Sequence, residues 1–134
     1  MAWYERFPGR LLKEKEIMSD SFPYARLTKL RSGLLAWNIT LTSNRGNHYR
    51  TLIVYPAVFP SSYPLAYILE PRIKNGTPHI YSDGHLCLFN AGDRPEKSYI
   101  PEKTTAATIT AWVSAWIFTY ENYLRTGRWI ERRI

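Results

Sequence analysis

Cys87 is the one cysteine among 134 residues, and it sits in the run Gly84-His85-Leu86-Cys87-Leu88. A lone thiol excludes an intramolecular disulfide and any multi-cysteine zinc or iron–sulfur centre. Two readings remain. Between two leucines a cysteine can serve as a small buried hydrophobe. It can also be a nucleophile, which requires partial exposure and a neighbouring group that stabilises charge. Such groups are at hand, because His79, Tyr81, Ser82, Asp83 and His85 all fall within the eight residues before it. An imidazole N–H from His79 can donate to the oxyanion of an acyl transfer; the same ring can act as a base, change charge near neutrality, or brace the loop. Tyr81 and Asp83 can line the site, with Asp83 orienting or deprotonating an incoming amine. In the dipeptide Asp83-Gly84 the same aspartate is also an ordinary turn residue. An extended backbone is expected to turn His85 away from the thiol, so His85 is a lining candidate without a role. His79, His85 and Cys87 make a poor zinc motif because no fourth ligand accompanies them, and the sequence implies no metal and no cofactor.

These residues occupy a stretch that avoids regular structure. From Pro71 to Lys103 there is little periodicity, and Gly76, Pro78, Asp83-Gly84, Gly92 and Pro95 keep interrupting it. A loop of that length inside a small domain tends to be functional. The flanking elements must hold it. Upstream, Leu11, Leu12, Lys15 and Met18 fall at helical spacing in a segment from Pro8 to Ser19, with Pro8 suited to a first turn. Ala25 to Arg31 alternates, Ser32-Gly33 turns the chain, and Leu35, Trp37, Ile39 and Leu41 occupy every second position. Ser43 to Asn47 is a second turn, His48 to Tyr55 a third strand, and Ala66 to Leu69 a short fourth; short connections favour an antiparallel meander. Between the last two strands, Tyr55 to Pro64 carries three prolines, which exclude a helix and continuous ladder pairing. Downstream, Ile109, Trp112, Val113, Trp116, Ile117, Tyr120 and Leu124 form one apolar helix face that packs on the sheet. Thr126-Gly127 is its stop, and Arg125 and Arg128 lie near the negative end of its dipole. The result is an α+β domain over residues 1–134.

Composition narrows the partners. Apolar residues make up 45% and aromatics 15%, enough to give a small chain a core. Thr104 to Tyr120 carries no charge, yet five threonines and a length short of about 20 residues make it a buried helix and not a membrane span. Met1 to Glu5 lacks the features of a signal peptide, so a cytoplasmic protein is expected. Eighteen bases against eleven acids give +7, and four arginines (Arg125, Arg128, Arg132, Arg133) fall in the last ten residues. The bases are otherwise scattered, and neither a phosphate loop, a zinc-finger spacing nor an RNP-like motif is present. A solvated basic face is the expectation, with no nucleic-acid partner.

Pro78-His79-Ile80 followed by Gly84-His85-Leu86-Cys87-Leu88 resembles the active-site stretch of ubiquitin-conjugating enzymes, in which His-Pro-Asn precedes Gly-x-Ile-Cys-Leu. His79 stands at the Asn position and Thr77 at that of the leading His. The Tyr55–Pro64 crossing and Tyr99-Ile100-Pro101, where the family commonly has Trp-x-Pro, extend the similarity. Closer still is the bacterial branch of CBASS antiphage defence operons, with His-x-Tyr-x-Asp-Gly-x-Leu-Cys-Leu ahead of a Trp-rich helix. His79 to Leu88 fits that pattern, and Trp112 to Glu121 with Thr126-Gly127-Arg128-Trp129 matches its C-terminal signature. The resemblance implies the ubiquitin-conjugating fold: an N-terminal helix, a four-stranded meander, a long active-site loop and a closing helix. It also implies that Cys87 forms a thioester with the C-terminus of a cGAS-like nucleotidyltransferase, with His79 as the candidate oxyanion donor. A chain of 134 residues leaves no space for an adenylating module, so a separate activating enzyme or the partner's own chemistry must activate the carboxylate. The alternatives are carriage of a small ubiquitin-like protein and a binding-only module of the same fold.

Overall fold

The computed structural model describes residues 1–88 and 99–130. Two helices open the chain, α1 (Trp3–Arg6) and α2 (Pro8–Ser21). Four strands follow, β1 (Arg26–Lys29), β2 (Leu35–Thr42), β3 (His48–Val54) and β4 (Leu65–Glu70), and α3 (Ala106–Thr126) closes the described fold. The strands pair in sequence order, all antiparallel. Register explains which face is apolar. Leu27, Trp37, Ile53 and Ala66 lie side by side across the sheet, as do Ile39, Thr51 and Ile68, and then Leu41 and Tyr49. Period-two alternation places all of them on the face that α3 covers with Ile109, Val113, Trp116, Ile117 and Tyr120.

The expected order of elements is present, with differences of detail. The turn α1 was not anticipated: its Trp3 is buried against Tyr55 and Phe59, at centroid distances of 4.9 and 4.7 Å, so one large ring anchors a helix too short to show periodicity. Helix α2 runs two residues past Ser19, and its buried side chains are Glu14 and Met18, whereas Leu12 is 63% exposed and Lys15 faces solvent. Apolar spacing alone misplaced that face because its centre is a carboxylate. Glu14 Oε1 accepts from the Tyr55 hydroxyl and from the Ala106 N–H, both at 2.8 Å, and Oε2 accepts from Arg10 Nε at 3.1 Å. The Trp37 indole N–H donates to the Tyr55 oxygen at 2.7 Å, and the Arg10 guanidinium also binds the carbonyls of Pro101 and Thr104. A buried negative charge is thus satisfied by a cation, a phenol and the N-terminus of α3, where unpaired amide N–H groups favour an anion. At the other end of α3, Leu124 is 47% exposed and not on the buried face.

In the crossing between β3 and β4, Tyr55 and Phe59 are buried and the Tyr99 hydroxyl donates to the Pro60 carbonyl at 2.6 Å. Among the described residues no helix is long and apolar enough to span a membrane. Gly92, Pro95, Arg132 and Arg133 lie outside the described residues.

Candidate functional site

The Cys87 segment folds back on itself. Residues Ile80 and Leu86 form an antiparallel bridge, Tyr81 N–H donates to the His85 carbonyl at 2.9 Å, and Gly84 N–H to the Tyr81 carbonyl at 2.9 Å. The turn requires Gly84, whose φ of +94° disfavours any residue with a Cβ. Leu86, only 3% exposed, plugs this small hairpin into the core and its N–H donates to the Ala66 carbonyl on β4 at 2.8 Å. Cys87 N–H donates to the His79 carbonyl at 2.9 Å, and the thiol itself is half-buried.

His79 is held from the opposite side. It adopts a left-handed conformation, φ +60°, a region in which His and Asn are over-represented among non-glycine residues. Its carbonyl accepts a second bond from the Trp116 indole N–H at 3.2 Å, and its ring stacks on Trp129 with centroids 5.2 Å apart. Trp129 in turn leans on Trp116 and Tyr123, and Trp116 stacks on Tyr120, whose hydroxyl accepts from Lys74 N–H at 3.1 Å. The rings of α3 therefore do two jobs: they pack on the sheet, as expected, and they clasp the loop that precedes the cysteine. Gly127, left-handed at φ +75°, ends the helix and sends Trp129 back over His79.

On the cysteine side the groups are polar. The Tyr81 hydroxyl is hydrogen-bonded to Cys87; that bond, with partial burial, pushes the phenol up to about 12, so it stays a protonated donor at neutral pH. Its ring stacks on His85, centroids 4.2 Å apart and planes at 22°. Asp83 Oδ1 accepts from the His85 backbone N–H at 3.0 Å and pairs with His85 Nδ1. The backbone bond first, then the imidazole, holds this exposed carboxyl below its ordinary range. Asp83 is therefore a weaker base than a free aspartate. The expectation that His85 points away from the thiol is corrected here. Side chains two apart in an extended segment share a side, and it is Leu86, between them, that points inward.

Sequence reasoning missed four contributors. Tyr63 in the crossing is pushed up by burial and then by Cys87 and Asp83, and Tyr67 on β4 by burial and then by Asp83, so both phenols border the site. The carriers of the clasp, Trp116 and Trp129, were read as core and as signature only. Their signal was present in the spacing from helix face to stop to tryptophan. Among the described residues no group of three or more His, Cys, Asp or Glu is arranged to hold a metal ion.

Comparisons with known proteins agree with this architecture. In solved structures, the Vps23 UEV (ubiquitin E2 variant) domain in a complex with ubiquitin matches with a TM-score of 0.53 and 18% identity, over 80% of this chain and 79% of that one. The yeast Vps23 UEV domain in complex with a Vps27 PSDP peptide matches with a TM-score of 0.51 and 14% identity, over 78% and 76%. At such identities the likeness concerns the fold, which is that of ubiquitin-conjugating enzymes. No curated protein matches the chain. The model of the Type II CBASS E2 protein family, however, matches residues 14–134, which include every residue of the Cys87 loop and its clasp, and the chain belongs to that family.

Proposed function

We propose that Cys87 is an acyl carrier that receives the C-terminal carboxyl group of a partner protein as a thioester, the partner being a cGAS-like nucleotidyltransferase in CBASS antiphage defence. Family membership supports a conjugating-enzyme-like role in such a system. The observation that carries the chemical reading is the half-buried thiol hydrogen-bonded by the Tyr81 hydroxyl at the mouth of a tightly tied loop. In loading, the Cys87 thiolate attacks the carbonyl carbon of a carboxylate that a separate activating protein has joined to a leaving group. The new C–S bond forms as the bond to that leaving group breaks. In release, a nucleophile attacks the thioester carbonyl, the C–S bond breaks, and the electron pair stays on Sγ. Tyr81 donates to that sulfur in both directions, because a sulfur anion enters one step and leaves the other.

His79 enters as a positioning residue. Its carbonyl fixes the Cys87 backbone, and its ring is held by Trp129. The exchange takes place in the cytoplasm and involves neither metal nor nucleic acid. The test is co-expression of Cys87→Ser with the neighbouring genes of its operon, followed by peptide mapping of whatever the serine holds. An ester to the C-terminal residue of the nucleotidyltransferase is expected. An ester to a small ubiquitin-like protein would replace the named partner, and a bare serine together with wild-type activity of Cys87→Ala would leave a binding module.

A further inference from the structure

Asp83, His85 and Cys87 are spaced two apart, with Leu86 buried between the last two, so the extended end of the hairpin offers His85 and Cys87 to the same side. The imidazole is oriented. Asp83 Oδ1 takes both the backbone N–H and Nδ1 of His85, and the Tyr81 ring lies flat against its face at 4.2 Å. Cys87 is also the foremost cause that raises the phenol of that same Tyr81, which sets the stacked pair beside the thiol. A carboxylate bound at Nδ1 fixes the tautomer that carries its proton there and leaves the Nε2 lone pair as the acceptor. Tyr63 and Tyr67 are the other titratable groups that face this corner, from the crossing and from β4.

We propose that Asp83 and His85 form a proton-accepting pair that deprotonates the amine acceptor in the release step; this rests on Cys87 being the acyl carrier. An alkyl amine is an ammonium ion at neutral pH and cannot attack until it loses a proton. Asp83 is ill suited to take it, since His85 already holds the carboxyl in its charged form. His85 Nε2 takes it. With the first ammonium proton on Nε2, the amine nitrogen bonds to the thioester carbonyl carbon, the C–S bond breaks with its electron pair on Sγ, and the second nitrogen proton goes to that sulfur. The products are an amide, an imidazolium paired with Asp83, and a thiol facing the Tyr81 hydroxyl; solvent then removes the imidazolium proton. His85 is thus a catalytic residue of release, and Asp83 a positioning residue that acts through it.

The test needs no partner protein. Cys87 in the isolated chain is acetylated with p-nitrophenyl acetate, Cys87→Ala supplying the background, and loss of the acetyl group to lysine or to hydroxylamine is followed by intact mass. Hydroxylamine is largely unprotonated at neutrality and does not require the base. In His85→Phe, which keeps a ring against Tyr81, the ratio of lysine to hydroxylamine discharge should fall by about tenfold or more. In Asp83→Asn it should fall by a smaller factor, since the amide oxygen still accepts from Nδ1. An unchanged ratio in His85→Phe, a parallel fall with both nucleophiles, or a wild-type acetyl thioester inert toward lysine would each overturn the proposal. None of these outcomes bears on whether Cys87 carries the nucleotidyltransferase, which the trapping experiment decides separately.

Discussion

The two ends of α3 are secured by opposite means. At its N-terminus a buried carboxylate, Glu14, gathers Arg10, Tyr55 and the Ala106 amide. At its C-terminal end, aromatic faces do the holding: Trp116, Tyr120, Tyr123 and Trp129 close over His79 and the start of the Cys87 loop. The first arrangement is directional and unforgiving, because removing one member strands charged or polar partners in a dry site. The second is broad and forgiving, since ring stacking tolerates small displacements. The difference teaches that the fold is locked far from the thiol, while the loop that carries the thiol is held by contacts that tolerate adjustment, as the proposed loading of a bulky acyl group would require.

The comparison breaks most dramatically at Glu14. Glu14→Ala leaves the Arg10 guanidinium, 11% exposed, without its counter-charge and the Tyr55 hydroxyl without its acceptor, and should cost about 3–5 kcal/mol in urea unfolding. A loss under about 1 kcal/mol would mean that water reaches this site. Trp129→Ala should cost less globally, about 1–2 kcal/mol for a half-buried ring. It should nevertheless raise amide hydrogen exchange selectively at His79 to Cys87, with the Glu14 end of α3 unaffected. Uniform exchange across both ends would erase the distinction between them.

The smallest effect is alkaline. Tyr81 and Tyr99 are pushed up to about 12, by the Cys87 bond and by burial respectively, and Tyr49 and Tyr55 are raised further by burial. The folded chain therefore keeps protons that the unfolded chain releases near pH ~10. Stability contributed by these phenols is complete below about pH 10 and falls as pH rises from there toward about 12. Absorbance of phenolate at about pH 11 should show these four of the ten tyrosines still protonated, and a full titration near pH ~10 would contradict the burial described.

Much of this was legible in the chain itself. Alternation in Leu35 to Leu41 and helical spacing from Ile109 to Tyr120 fix which faces are apolar, and the Asp83-Gly84 turn followed by Leu86-Cys87-Leu88 locates the loop. Three things were not readable. Glu14 looks like a surface charge until Arg10, Tyr55 and Ala106 are brought to it from three separate segments. Trp3 looks incidental until Tyr55 and Phe59 surround it. The partnership of Asp83 with His85 and of Tyr81 with Cys87 depends on where a hairpin folds, and the expectation that His85 turns away from the thiol fails there. Local periodicity encodes faces, whereas polar networks are encoded only in three dimensions.

The most direct test of the central claim is the intact mass of the wild-type chain purified under non-reducing conditions after co-expression with its operon neighbours. The account predicts an added mass equal to the nucleotidyltransferase less one water, released by hydroxylamine and absent from Cys87→Ala. A wild-type chain that carries no adduct, or an adduct that persists in Cys87→Ala, would contradict it.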